Sequence, residues 1–354
     1  MNSAKRQVLF FASIFVLSLS AGVIPCTAQT NEATRNFEFK YVTRIPEPPA
    51  GAKTLRLWIP LPRSDDYQII AGMKVDSPLP YVRHREAEYG DEFLYFQVPP
   101  PKTNTLAEIR VSFHVTRGEH RASLDNKELA DDPPAAIPRN LERFLQPDRL
   151  VPLQGQIAEL SAQETRGIEE PLAKARAIYN YVLATMRYDK SGTAWGNGDA
   201  IWACTAKQGN CMDFHSLLIG MLRAAGIPAR FEIGFPLPDD RHEGAVSGYR
   251  CWAELYLKPY GWIPVDAFEA SQHPEKKDYF FGAHDDNRVQ FTTGRDILLD
   301  PVQEGQPLNY FILPYAELDG KPFTVESQFS FQDEVQPAGD VRAAATRHKG
   351  PRHF

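Results

Sequence analysis

Cysteine is scarce in this chain, with four among 354 residues. That is too few for a disulfide framework to replace a hydrophobic core. There is no Cys-x-x-Cys pair with a neighbouring histidine pair, so the pattern is a poor one for zinc. Surplus positive charge is also missing. Lys and Arg number 39 against 45 Asp and Glu, a net charge of −6, which gives no basic face for nucleic acid. Asp285-Asp286-Asn287 is too short for a calcium loop. There is no internal repeat. No metal or organic cofactor is implied.

What is present begins with a targeting signature. Lys5 and Arg6 form a charged start, Val8 to Val23 an apolar stretch, and Cys26-Thr27-Ala28 a small-residue cleavage site. The apolar stretch is short for a membrane span, and no positive stop-transfer cluster follows it. The expectation is export to the periplasm or beyond, cleavage after Ala28, and no membrane span in the mature chain. Cys204, Cys211 and Cys251 then remain, an odd number. Either Cys204 and Cys251 pair and leave Cys211 free, or all three are free thiols.

Hydrophobic residues at 43% can fill a core, and 29 prolines favour strands and loops over long helices. Phe37, Phe39 and Tyr41 alternate, as do Leu55, Leu57 and Ile59, and Ile109, Val111, Phe113 and Val115; alternation of this kind marks half-buried strands. Glu169-Glu170-Pro171 places acids and proline at a helix start, and Leu172, Ala175, Ile178, Tyr179, Val182 and Met186 make one apolar stripe. Further strands are expected at Ala229–Phe235, Cys251–Leu257, Trp262–Asp266, Val289–Thr292, Asn309–Leu313 and Phe323–Phe331. The expected organisation is a signal peptide (1–28), an N-terminal β domain (29–123), a charged, Pro-rich connector (124–165), an α+β core (166–275), C-terminal β strands (276–332) and a disordered tail (333–354).

The core is organised around Gln208-Gly209-Asn210-Cys211-Met212-Asp213-Phe214-His215-Ser216. A Gly-Asn turn delivers a cysteine to the first turn of a helix, and Phe214, Leu217, Leu218, Met221, Leu222 and Ala225 recur at helical spacing. Ala225-Gly226-Ile227-Pro228 stops it. Unpaired N–H groups and the helix dipole at such a position favour thiolate over thiol. The plainer alternative is a buried cysteine acting as a small apolar residue.

Three stretches stand in order: G-N-C-M-D-F-H-S-L-L followed by R-A-A-G-I-P-A-R, then R-C-W-A-E-L-Y, then G-W-I-P-V-D. Together they resemble the transglutaminase-like superfamily, in its bacterial exported branch, over about residues 169–270. The resemblance implies an α+β, papain-like core. In it a helix-borne Cys packs on an antiparallel sheet, flanked by an N-terminal β-sandwich-like domain and C-terminal strands. It also implies cysteine-thiolate acyl transfer by a protease, amidase or protein crosslinker, acting on a peptide, protein or cell-wall substrate through a Gln, Asn or peptide carbonyl. Carried over, Cys211 is the nucleophile and Asp266 the orienting acid, while Trp252 and Glu254 fall on the family's H-x-W-x-E positions. The family His falls on Arg250, a departure. A guanidinium stays protonated and is no general base, though it can pair with Asp266 and hold a thiolate by charge. His242 and His215 are the possible substitute bases; a catalytically inactive peptide- or cell-wall-binding module of the same fold is the alternative function. Trp195 and Trp202, with Trp252, are candidates for a substrate groove. Asp213 suits the first turn of any helix.

Overall fold

The computed structural model describes residues 34–100, 107–124 and 139–334. The expected leader, the middle of the connector and the tail beyond residue 334 lie outside them. In chain order the strands are β1 (Thr34–Ile45), β2 (Leu55–Leu61), β3 (Gln68–Asp76), β4 (Val82–Arg85), β5 (Glu92–Val98), β6 (Ala107–Gly118) and β7 (His120–Arg121). Next come helices α1 (Gln156–Glu164) and α2 (Pro171–Thr185), short β8 (Arg187–Tyr188), α3 (Ala200–Ala206), short β9 (Gln208–Gly209) and α4 (Cys211–Ala224). They are followed by β10 (Ala229–Pro236), β11 (Glu243–Val246), β12 (Arg250–Leu257), β13 (Gly261–Val265) and α5 (Ala267–Gln272). The last strands are β14 (Ala283–His284), β15 (Arg288–Thr293), β16 (Tyr315–Leu318), β17 (Lys321–Phe323) and β18 (Glu326–Asp333).

Alternation in β1 drives the first sheet, ordered β11-β18-β1-β6-β3. Phe37, Phe39 and Tyr41 point one way and are buried, with their in-register partners Val115, Phe113 and Val111 on β6. A second sheet runs β17-β16-β2-β5-β4, and the helical region rests on a third, β13-β12-β10-β15. Late strands therefore complete both early sheets. Phe39 meets Phe235 of β10 and Phe291 of β15 at 5.5 and 5.8 Å between ring centres, so one apolar core joins the β region to the third sheet.

Three expectations change. Asn309–Leu313 is not a strand: Phe311 and Ile312 are buried in an irregular loop, because their apolar surface packs without a backbone partner beside it. The expected connector contains α1, which packs on α4 and donates a hydrogen bond from Ser161 Oγ to Met221 O at 2.7 Å. Asp333, expected to begin the tail, is the last residue of β18, where Arg35 Nε holds its carboxylate at 2.9 Å.

Glycine is required where β10 bulges against β15 between Ile233 and Gly234. A Cβ on Gly234 would lie 2.1 Å from Val289 O and 2.9 Å from Gln290 Cα, both main-chain atoms that cannot swing aside. Gly234→Ala should cost about 3 kcal/mol of stability, read as a lowered midpoint in urea denaturation. An unchanged midpoint would contradict this register.

Candidate active site

The site is built from the start of α4. Gly209 has φ of 142°, and a Cβ there would sit 2.2 Å from the Asp213 carboxylate, so the approach of that carboxylate demands glycine. Asn210 caps the helix: its Oδ1 accepts from Met212 N at 2.9 Å, and its own N–H donates to Asp213 Oδ2 at 2.9 Å. Asp213 does more than suit a helix start. Fully buried, it also accepts from Gly196 N at 2.7 Å and Gly198 N at 3.1 Å, which pins the Trp195 loop beside the cysteine. Arg295 holds that loop from behind, donating to Gly198 O at 2.8 Å and Asn197 O at 3.1 Å. Sequence reading missed Arg295, since it acts through main-chain carbonyls about a hundred positions away.

Cys211 is the first residue of α4 and is buried, yet its thiol is not inert. Hydrogen bonding from the Cys251 thiol lowers its pKa most. Burial opposes this, while the Cys251 main-chain N–H and the charges of His215 and Arg250 add to it, leaving the thiol at about 7. Cys251 is its mirror image, pushed well above the ordinary thiol value by burial and by its hydrogen bond to Cys211.

His215 lies one helical turn beyond Cys211, completely buried. Its Nδ1 is 2.8 Å from Cys211 O and 3.7 Å from Cys251 Sγ, and its Nε2 is 3.4 Å from Asp266 Oδ1. A carbonyl only accepts, so the 2.8 Å contact requires a proton on Nδ1, while Nε2 faces a carboxylate. Nε2 lies near that carboxylate without a hydrogen bond to it. Asp266 is buried at the end of β13, where its Oδ1 also accepts from Glu269 N at 2.9 Å and its Oδ2 lies 3.6 Å from Arg288 Nη1.

Of the sequence candidates, Cys211, His215 and Asp266 meet here. Arg250 stands at the edge with its side chain 42% exposed, 3.6 Å from Glu269 Oε1, and its guanidinium carbon is 5.5 Å from the Phe268 ring centre. It does not pair with Asp266, whose oxygens are taken by His215, Arg288 and the Glu269 N–H, and Glu269 is the anion within its reach. His242 is elsewhere: its side chain is 88% exposed and its Nδ1 is 2.9 Å from Asp333 Oδ2. Trp252 does not line a groove. Cys251 faces α4, so its strand neighbour must face the opposite side, where Trp252 lies edge-on to His284 at 5.5 Å. On that same side burial would raise Glu254, but Arg230 at 2.5 Å and His120 at 3.4 Å hold its carboxyl far below the ordinary range. Trp202 is packed against the core, and Trp195 Nε1 donates to Gly192 O at 3.1 Å in the pinned loop. Cys204, Cys211 and Cys251 are all free thiols; the Cys204–Cys251 bridge does not form because Cys251 is turned toward Cys211 and His215. Among the described residues no cluster of His, Cys, Asp or Glu could hold a metal.

Residues 158–267 match the family model of the transglutaminase-like superfamily. An uncharacterized protein from Haemophilus influenzae is 27% identical over 350 residues, covering 87% of this chain and 94% of that protein. The Bacillus subtilis protein YebA is 22% identical over 156 residues, 39% of this chain and 21% of YebA. Among solved structures, a Cytophaga hutchinsonii protein described as a candidate cysteine protease aligns with a TM-score of 0.58 at 15% identity, covering 85% of this chain and 98% of that one. At that identity the likeness shows the fold alone.

Iodoacetamide labelling of Cys211 should rise with pH through a midpoint near about 7, since the reactive thiolate accumulates as pH passes the thiol's pKa. Cys204, whose thiol is raised by burial, should label only at clearly higher pH. Arg250→Gln should move the Cys211 midpoint up only slightly, because Arg250 contributes least of the named groups and is partly solvated. Equal midpoints for Cys211 and Cys204 would contradict the electrostatic picture.

Proposed function

We propose that this chain, whose residues 158–267 carry the transglutaminase-like core, performs cysteine-thiolate acyl transfer on a peptide or Gln/Asn carbonyl. The observation that carries the reading is a buried thiol lowered to about 7 at a helix start, on the helix that also bears buried His215, whose Nε2 lies 3.4 Å from Asp266 Oδ1. Cys211 is the nucleophile, His215 the group that takes and returns the proton, and Asp266 the anion that holds the imidazole. The thiolate adds to the carbonyl carbon, the amine departs with a proton from the imidazolium, and a thioester remains. Water or a second amine then releases the acyl group. The leader-like start at Lys5 to Ala28 supports an exported site of action, and peptide, protein or cell-wall material as the substrate class.

Arg250 is the observation that favours a second reading, a peptide- or cell-wall-binding module without turnover. It occupies the family's His position and is permanently charged. His215 answers that objection by supplying a titratable base beside Asp266.

The test is turnover of Gln-containing and simple peptides by the purified chain, with amine release and amine incorporation both followed. Cys211→Ser should abolish both. Asp266→Asn and His215→Asn should each lower the rate by about 10²–10⁴-fold, the usual worth of positioned proton transfer. Full activity in either His215→Asn or Cys211→Ser would overturn the assignment. A thiolate that labels readily with no turnover on any of these substrates would favour the binding module.

A further inference from the structure

A second cluster of charged groups lies on the face of β12 turned away from Cys211. The inward-facing residues of β6 run Ile109, Val111, Phe113, Val115 and then Arg117, so an arginine takes a position that alternation reserves for an apolar side chain. Arg117 is 2% exposed, and its Nε and Nη1 have no hydrogen-bond partner among the described residues. Burial lowers its pKa and the nearby Asp65 charge opposes this, yet a guanidinium stays protonated. A buried charge without a partner is expensive, so packing gives no reason for it to be here. What Arg117 lines is a cavity of about 300 Å³, at the lower end of the size range of small-molecule sites.

Asp65 and Asp66, exposed in the loop before β3, form the rim of this cavity, and Tyr67, His120 and Trp262 supply its rings. Tyr67 stacks on His120 at 3.6 Å between ring centres. Glu254 and Arg230 also line the cavity, but they satisfy one another at 2.5 Å. Glu232 lies 2.7 Å from Arg230, and His120 lies 3.4 Å from Glu254. The Arg230 guanidinium also covers the Trp262 ring at 4.1 Å. That leaves one cation, Arg117, at the inner end and two carboxylates at the rim. Two guanidiniums against three carboxyl groups give no excess of positive charge, so a polyanion is repelled as much as it is attracted.

We propose that this cavity binds a small zwitterion of the amino-acid class, with its carboxylate on Arg117 and its ammonium at Asp65 and Asp66. The carboxylate satisfies the Arg117 N–H groups and offsets the burial of their charge. The ammonium meets the rim acids, and the aromatic rings pack against the carbon skeleton between the two ends. The site stands apart from the acyl-transfer reading, since none of Cys211, His215 and Asp266 lines it. Two alternative roles fit less well. A purely structural Arg117 would have its N–H groups paired, as Arg223, Arg230 and Arg295 do. A site for inorganic phosphate would not place two carboxylates at its entrance.

The experiment is isothermal titration calorimetry of the full chain with glycine, alanine, glutamate and lysine, with propionate and inorganic phosphate as anions that lack an ammonium. At least one amino acid should bind saturably at a single site, and propionate should bind about tenfold more weakly, for want of the ammonium contact. Arg117→Gln should weaken amino-acid binding about tenfold or more, as the loss of a charge-assisted bond. The same variant should melt no lower than wild type without ligand, because an unpaired buried charge is removed. Should Arg117→Gln fail to fold, Asp65→Asn combined with Asp66→Asn, both at the exposed rim, decides. That pair of changes should weaken amino-acid binding about tenfold and leave propionate binding no weaker. Saturable binding of none of these amino acids would overturn the site, as would amino-acid binding unchanged in Arg117→Gln or in the rim variant. Propionate or phosphate binding as tightly as the best amino acid would overturn the zwitterion assignment.

Discussion

A helix buried on every side must find partners for all of its own polar groups, and α4 is such a helix. Every residue from Cys211 to Arg223 is buried. An unpaired polar group in that position costs roughly 1–3 kcal/mol, and more when charged. The surrounding structure is arranged to meet this demand. Asp213 collects three main-chain N–H groups from the turn and the Trp195 loop. Ser216 Oγ returns to Asp213 O at 3.0 Å. At the far end Arg223 reaches Asp148 Oδ2 at 2.7 Å and Ala229 O at 2.8 Å, which ties the connector to β10. His215 turns to Asp266, and Cys211 to Cys251. The candidate site is the N-terminal part of this network, and the chemistry depends on which partners the helix has drawn in.

Behind the site a second buried layer continues the same logic. Arg288 lies between Asp266 at 3.6 Å and Asp285 at 3.3 Å, with its guanidinium carbon 4.9 Å from the centre of the Trp252 ring. Trp252 meets His284, whose protonated form is strongly disfavoured by burial and by the nearby Arg288 charge. Arg288 keeps a charge of the right sign beside Asp266, so the carboxylate that faces His215 is compensated on both flanks. Buried ion pairs of this kind are weak contributors to net stability but expensive to break one-sidedly. That asymmetry fixes the geometry of Asp266 more firmly than packing alone.

Much of this was legible in the residues. The Asn210 cap and the Ala225-Gly226-Ile227-Pro228 stop delimit α4 to within one residue of the observed end, and Gly226 does take positive φ, at 79°. Alternation in β1 and β6 named their buried faces correctly. The transglutaminase-like fold of the core followed from three motifs in order. What was hidden is equally specific. In R-C-W-A-E both faces of β12 are covered, so no polar alternation tells which side Cys251 or Trp252 takes; sheets buried on both faces lose that signal. The partner of Cys251 was therefore misjudged, and Trp252 was assigned to a groove it does not line. Asn309–Leu313 looked like a strand because apolar residues buried in a loop have the composition of one. His215 was a candidate by helical spacing alone, but its closeness to Asp266, 51 positions further along the chain, is a tertiary fact that spacing does not encode.

The central claim is that hydrogen bonding from Cys251, with the charges of His215 and Arg250, outweighs burial and lets Cys211 ionise near neutral pH. The most direct measurement is a titration of ultraviolet thiolate absorbance in the wild-type chain and in Cys211→Ser. One thiol should ionise near about 7, and that step should vanish in Cys211→Ser, leaving only thiols that ionise above the ordinary ~8.5. A wild-type chain with no thiolate signal below that value would mean that burial wins over the donors at Cys211, and would contradict the account.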